Sequence, residues 1–256
     1  DVDWFWQLIL DDISVEGNSM KAPNEANLVS VTAANDGSLK ATIDFVAPAT
    51  AIDGSSLEAP LTIDIMRNGE KIGEMGDIEP NGSYKYVDNE AEQGINAYSV
   101  IAKNSLGEGK ESKRIEVYVG VDTPIAPTNI QTSQTDDSIT LTWDAVTTGS
   151  HGGYVKPADV LYNVYEIEET GTGVNLTLVK KVSETSISIP YKTNVGQQDM
   201  INYALSSENE VGEGPRGMSP NILVGEPYVL PFEEHFKNGR LDNSMWWVSE
   251  TDKSTF

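Results

Sequence analysis

The sequence predicts an all-β protein built from two tandem β-sandwiches. Three observations carry that expectation. Apolar and polar residues alternate in many short runs, no segment of more than a few residues shows the apolar spacing of three and four that a helix needs, and one ordered set of residues occurs twice.

The first strands are read in chain order. Ala41, Ile43 and Phe45 alternate with Thr42 and Asp44, and Leu61, Ile63 and Ile65 alternate with Thr62 and Asp64. Asn68-Gly69 follows as a tight hairpin turn, because both residues accept positive φ. Ile115, Val117 and Val119 then alternate with Glu116 and Tyr118. Such runs belong to antiparallel sheets with one wet face, two of which pack with their apolar faces together.

The order then recurs. Tyr98 to Gly109 (YSVIAKNSLGEG) aligns without gaps on Tyr203 to Gly214 (YALSSENEVGEG), 105 positions later. Upstream, Ala22-Pro23 aligns with Ala126-Pro127, Phe45 with Trp143, and Ile63-Asp-Ile65 with Tyr162-Asn-Val164. The stretch from Val119 to Pro127 carries two prolines and reads as a short, semi-stiff linker.

Composition narrows the function classes. The 256 residues include 17 Lys and Arg against 40 Asp and Glu, a formal charge of −23. No basic cluster is present, which excludes nucleic-acid binding by counterion release and disfavours an anionic membrane surface. There is no cysteine, so thiol nucleophiles, thiolate metal sites and disulfides are all excluded. The longest apolar stretch, Trp4 to Leu10, is far short of the roughly 20 residues that cross a bilayer. With neither an opening Met nor a leader pattern, the chain reads as a mature or excised piece of something longer.

Pro127, Trp143, Tyr162-Asn-Val164, Asn209, Gly212 and Gly214 together resemble the fibronectin type III pattern. That pattern has an opening Pro, a core Trp on the second strand, Tyr-x-Val on the third, and Asn-x-x-Gly-x-Gly after a late strand. The first copy departs from it, with Phe45 for Trp and Ile63-Asp-Ile65 for Tyr-x-Val, and keeps those positions apolar. Asn96 and Ile201 stand where the corner tyrosine is expected, so the corner hydrogen bond is expected to be missing. The resemblance covers about 200 residues and implies immunoglobulin-like sandwiches. The long loops Pro48 to Leu57 and Thr147 to Ala158, the latter with His151-Gly-Gly-Tyr154, resemble the variant found in secreted and surface-anchored bacterial proteins, which implies export.

Both ends lie outside the repeat and hold Trp4, Trp6, Trp246 and Trp247. Trp4 to Val15 resembles the closing strand, and Leu230 to Gly239 the opening strand, of concanavalin-like jelly rolls of the cleaved-adhesin or choice-of-anchor type. The expected division is therefore 1–19, the terminal strand of a preceding jelly roll; 20–120 and 121–225, two fibronectin type III-like domains; and 226–256, the start of a following jelly roll. Unpaired strands at the ends would pair with each other, with neighbouring jelly rolls of the parent chain, or with the termini of a second copy.

The candidate chemistry is sparse. Asp11, Asp12, Glu233 and Glu234 are the metal candidates, since hard oxygen ligands on adjacent strands suit calcium and related jelly rolls often carry it. The competing reading is a pair of solvated acidic strand ends. No other cofactor is expected. A glycosidase carboxylate pair has no support in spacing. His151 and His235 lack a nucleophile or carboxylate at a catalytic spacing, and His151 reads as a solvated loop residue. Gly171-x-Gly173 lacks the remainder of a phosphate loop, and Glu166, Glu168 and Glu169 read as a solvated face leading into a hairpin. Tyr118, Tyr154 and Tyr165 are candidates for stacking on a sugar or anchoring a protein, set against the ordinary scatter of exposed tyrosines.

The expected function is a non-catalytic extracellular spacer or adhesion module of a bacterial surface or secreted protein, presenting or binding protein or glycan. The alternative is a set of accessory domains of a secreted peptidase or glycan-degrading enzyme whose catalytic domain lies elsewhere. A calcium-stabilised stalk is a third reading.

Overall fold

The computed structural model describes residues 19–225, except for 136, 171–172 and 193–197. In the first half the strands are β1 (Asn27–Ala33), β2 (Ala41–Val46), β3 (Leu61–Arg67), β4 (Glu70–Ile78), β5 (Ser83–Asp88), β6 (Gly94–Asn104), β7 (Gly107–Glu108) and β8 (Ile115–Val119). One sheet runs β1-β2-β5. The other runs β4-β3-β6, with β7 and β8 both paired along the free edge of β6.

The second half repeats this plan. Its strands are β9 (Gln131–Gln134), β10 (Ser138–Thr142), β11 (Leu161–Thr170), β12 (Gly173–Val182), β13 (Ser186–Pro190), β14 (Asp199–Ile201), β15 (Tyr203–Glu208), β16 (Glu213–Met218) and β17 (Ile222–Val224). The small sheet runs β13-β10-β9 and the large one β12-β11-β15-β16, with β14 and β17 paired beside it. In the first copy the long strand β6 is continuous. In the second its counterpart breaks at Asn202 into β14 and β15.

Alternation places the cores. Along β2, Ala41, Ile43 and Phe45 are buried while Thr42 and Asp44 are half-exposed, as period-2 patterning requires. They meet Leu61, Ile63 and Ile65 of β3 and Tyr98, Val100 and Ala102 of β6 in one apolar cluster. A separate cluster gathers Ile139, Leu141, Trp143, Tyr162, Val164, Tyr203 and Leu205. Trp143 packs edge-on against Tyr162 with ring centroids 5.3 Å apart, and the Tyr162 hydroxyl accepts the Val146 amide at 3.0 Å. The fold is thus all-β, two tandem fibronectin type III-like sandwiches of the immunoglobulin-like class.

Asn68-Gly69 forms the expected two-residue hairpin between β3 and β4, with φ of 54° and 89°. Positive φ at both central residues is what matches a tight turn to the twist of its strands.

Two expectations change. The counterpart of Pro23 is Pro124, not Pro127. Pro23 bridges Ala51 and Pro124 bridges Gly149, and each proline carbonyl lies where a Cβ on Gly109 or Gly214 would fall, at 2.4 and 1.9 Å. Sequence alignment favoured the Ala-Pro match because it cannot see which carbonyl the glycine faces. The corner hydrogen bond of the first copy is also present in altered form. Asn96 is fully buried, and its Nδ2 donates to the Glu92 carbonyl at 2.8 Å and the Gly94 carbonyl at 2.9 Å. A short amide therefore reaches back to the backbone where a tyrosine hydroxyl was expected to be lost.

Candidate functional site

The joint between the two sandwiches is the most organised polar site among the described residues. It is built from the linker, the end of β8, and the loop at 147–155. The linker enters the second sandwich by backbone pairing: the Asp122 amide donates to Tyr154 O at 2.8 Å, the Ser150 amide to Thr123 O at 2.7 Å, and the Ile125 amide to Thr148 O at 3.1 Å.

Asp122 lies at the centre and is fully buried. Its Oδ2 accepts the His151 amide at 2.7 Å and the Gly153 amide at 3.1 Å. Its Oδ1 lies 2.9 Å from His151 Nδ1, so that nitrogen carries the proton and donates. Its own carbonyl accepts Asn209 Nδ2 at 2.8 Å. Burial works to raise the carboxyl pKa, but the His151 ring and the two backbone amides outweigh it, so Asp122 titrates below the ordinary carboxylate value of 3.8.

Rings and glycines lock the other side. The His151 imidazole stacks on Tyr118 of β8, 5.2 Å between centroids and 11° from parallel. A Cβ on Gly153 would fall 2.4 Å from the Tyr118 ring, and one on Gly37 would fall 2.9 Å from the Tyr154 ring. Gln93 Nε2 donates to Val121 O at 2.5 Å. Glycine at 37 and 153 is therefore what lets the two sandwiches approach so closely.

The residues singled out in the sequence fall as follows. Tyr118 and Tyr154 are half-buried and both belong to this joint, one against His151 and one over Gly37. Tyr165 stands apart on the outer face of β11. Its hydroxyl bonds Glu213 Oε1 at 2.8 Å, and the Arg216 guanidinium lies 4.9 Å from the ring centroid. The three tyrosines thus form no common platform. Asp11, Asp12, Glu233 and Glu234, and both jelly-roll segments, lie outside the described residues. Among the described residues no group of three or more His, Cys, Asp or Glu side chains is placed to hold a metal, and no helix is long and apolar enough to cross a membrane.

His151 is an exposed loop residue as expected, its side chain 52% accessible, but it is not without a partner. It is paired with a carboxylate 29 positions upstream, and only the fold brings the two together. Sequence reading missed Asp122 because a lone Asp before Thr-Pro reads as linker. Its one hint was the glycine-flanked histidine, whose amides are free to converge on an anion.

A second polar knot lies in the first sandwich. Asp88, almost buried, accepts Arg67 Nη1 at 2.8 Å and the Tyr98 hydroxyl at 2.9 Å. Burial, and then the Asp88 carboxylate, push the Tyr98 phenol above its ordinary value. In the second copy Tyr203 lies opposite Glu166 where Tyr98 lies opposite Arg67, so the charge at that position is reversed.

No protein-family model matches the chain, and no curated protein matches it. Among solved structures it is similar to the FN1-FN3 domains of chicken CNTN1, at 17% identity and a TM-score of 0.30, over 80% of this chain and 68% of that one. It is also similar to domains A168-A170 of titin, at 20% identity and a TM-score of 0.33, over 80% of this chain. It spans 62% of the titin fragment, less than two thirds. The fold class itself rests on the strand order and the two cores described above.

Proposed function

We propose that the chain is a non-catalytic spacer and adhesion module of an exported bacterial protein, and that its joint fixes the angle at which neighbouring parts are presented. The observation that carries the spacer reading is the buried Asp122 carboxylate, which takes two amides and an imidazole from the second sandwich while that imidazole stacks on Tyr118 of the first. A flexible linker would spend no buried carboxylate on such a contact. The exported bacterial setting is supported by the resemblance of the long loops at 48–57 and 147–158. A net charge of −23 is suited to keeping an extended array soluble and apart from its neighbours. The adhesion part of the proposal concerns protein or glycan, with Tyr165 the candidate that lies away from the joint.

The chain lacks cysteine, so two introduced thiols can be labelled cleanly. Spin labels at Val87→Cys and Ser188→Cys, one on each small sheet, should give one narrow distance distribution in solution. A broad distribution spanning several nanometres would overturn the fixed-angle spacer.

A further inference from the structure

The two sandwiches treat one tyrosine differently. In the first, Arg67 lies opposite Tyr98 on the neighbouring strand, and Asp88 lies opposite Ala41. The Arg67 guanidinium donates from Nη1 to Asp88 Oδ2 at 2.8 Å and to the Glu90 carbonyl at 2.7 Å, and its side chain is only 15% exposed. The Tyr98 hydroxyl bonds the same Asp88 oxygen, so the first sandwich meets its tyrosine with a cation and a carboxylate of its own.

In the second sandwich both partners have changed. Counted from the aligned Phe45 and Trp143, Ala41 corresponds to Ile139, and the residue opposite Ile139 is Ile189. Glu166 lies opposite Tyr203. The chain thus has Glu166 in place of Arg67, Ile189 in place of Asp88, and Tyr203 in place of Tyr98. At this position lies an open cavity of about 520 Å³, lined by Glu166, Asp199, Tyr203 and the apolar Val179, Ile189 and Val224 among others.

Tyr203 points to what the cavity takes. It is 3% exposed, and its hydroxyl makes no hydrogen bond among the described residues. Buried polar groups in native proteins are hydrogen-bonded, so one without a partner calls for a group that arrives from outside. Burial, and then the Glu166 carboxylate, push the phenol above its ordinary value, so it stays protonated and its oxygen can accept.

We propose that this cavity binds the guanidinium of an arginine side chain on a protein partner, taking from outside what the first sandwich supplies with Arg67. The planar fork donates two N–H groups to the Glu166 carboxylate and a further one to the Tyr203 oxygen. The methylene stem lies along Val179, Ile189 and Val224. Asp199 adds a second negative charge against the single Lys192 that also lines the cavity, and the net charge of −23 draws cationic partners. Arginine is also among the residues that most often anchor protein interfaces. The site lies wholly on the second sandwich, so this inference does not depend on the spacer reading.

The test is a titration of the full, isotope-labelled chain with acetyl-arginine amide, which carries the side chain as a protein would, followed by amide chemical shifts. Saturable shifts confined to Glu166, Ile189, Tyr203 and their neighbours are expected, at a Kd of about 1–10 mM for a single anchoring side chain. Acetyl-citrulline amide, of the same shape without the charge, should produce none. Glu166→Gln, at an exposed position, should weaken binding by about tenfold or more and leave the spectrum of the free protein otherwise unchanged. Tyr203→Phe should weaken it by about threefold. No saturable shift up to about 50 mM, an equal response to the citrulline compound, or undiminished binding by Glu166→Gln overturns the proposal. Free arginine binding about tenfold tighter than the blocked form would make the ligand the amino acid, its carboxylate on Lys192, and would overturn the protein partner.

Discussion

Asp122 Oδ1 lies 2.9 Å from the Nδ1 of His151, while the same imidazole stacks on Tyr118 at 5.2 Å. A linker carboxylate thereby holds a ring of the second sandwich against a ring of the first. Because Asp122 is buried and also accepts two backbone amides, the contact belongs to the folded joint and is not a surface ion pair of negligible worth.

Removing that acceptor should loosen the joint without unfolding either sandwich. Asp122→Ala leaves the His151 and Gly153 amides and the imidazole proton without their partner, at a cost of about 1–3 kcal/mol. The expected outcome is a broadened label distance between positions 87 and 188, with faster hydrogen exchange at the His151 and Gly153 amides. An unchanged distance distribution would show that the backbone pairing of the linker is sufficient alone.

Acid should do the same reversibly. The folded pKa of Asp122 is lowered from 3.8, so its stabilisation is fully present above that value and is lost as pH falls through the lower folded value. The label distance should be constant from neutral pH down to about 4 and broaden below it. Asp122→Asn should remove the part of this change that belongs to the joint.

The paired tyrosines give an internal comparison. Tyr98→Phe removes a hydrogen bond to a buried carboxylate and should cost about 1–2 kcal/mol in urea denaturation of the first sandwich. Tyr203→Phe should cost under about 0.5 kcal/mol, because the Tyr203 hydroxyl makes no hydrogen bond among the described residues. Arg67→Met should be worse than either, at about 3 kcal/mol, because Asp88 loses its cation while remaining buried.

The glycines after the late strands differ in kind. Gly214→Ala puts a Cβ 1.9 Å from the Pro124 carbonyl and Gly109→Ala puts one 2.4 Å from the Pro23 carbonyl. Backbone must move in both, at a cost of at least about 1–3 kcal/mol, with Gly214→Ala the more harmful. Gly76→Ala on β4 meets nothing within 4 Å and should leave the melting temperature unchanged.

The sequence determined the fold class, the repeat and the burial pattern. Period-2 alternation shows which side of a strand faces the core, so Ile43, Phe45, Ile63 and Trp143 were legible as core from residue type and spacing. The Asn68-Gly69 hairpin was legible because its φ values are dictated by the two residues themselves. What only the tertiary structure decided is long-range and polar: Asp122 with His151, Arg67 with Asp88 and Tyr98, and the reach of Asn96 into its corner. A hydrogen bond depends on atoms brought within about 3 Å, and a separation of 29 positions leaves no local periodicity from which that meeting could be read. The same holds for Pro124 displacing Pro127 as the partner of a glycine, and for the cavity beside Tyr203 where the first copy has Arg67. A cavity, like proximity, is a property of how strands are ordered and packed and not of one strand's own residues.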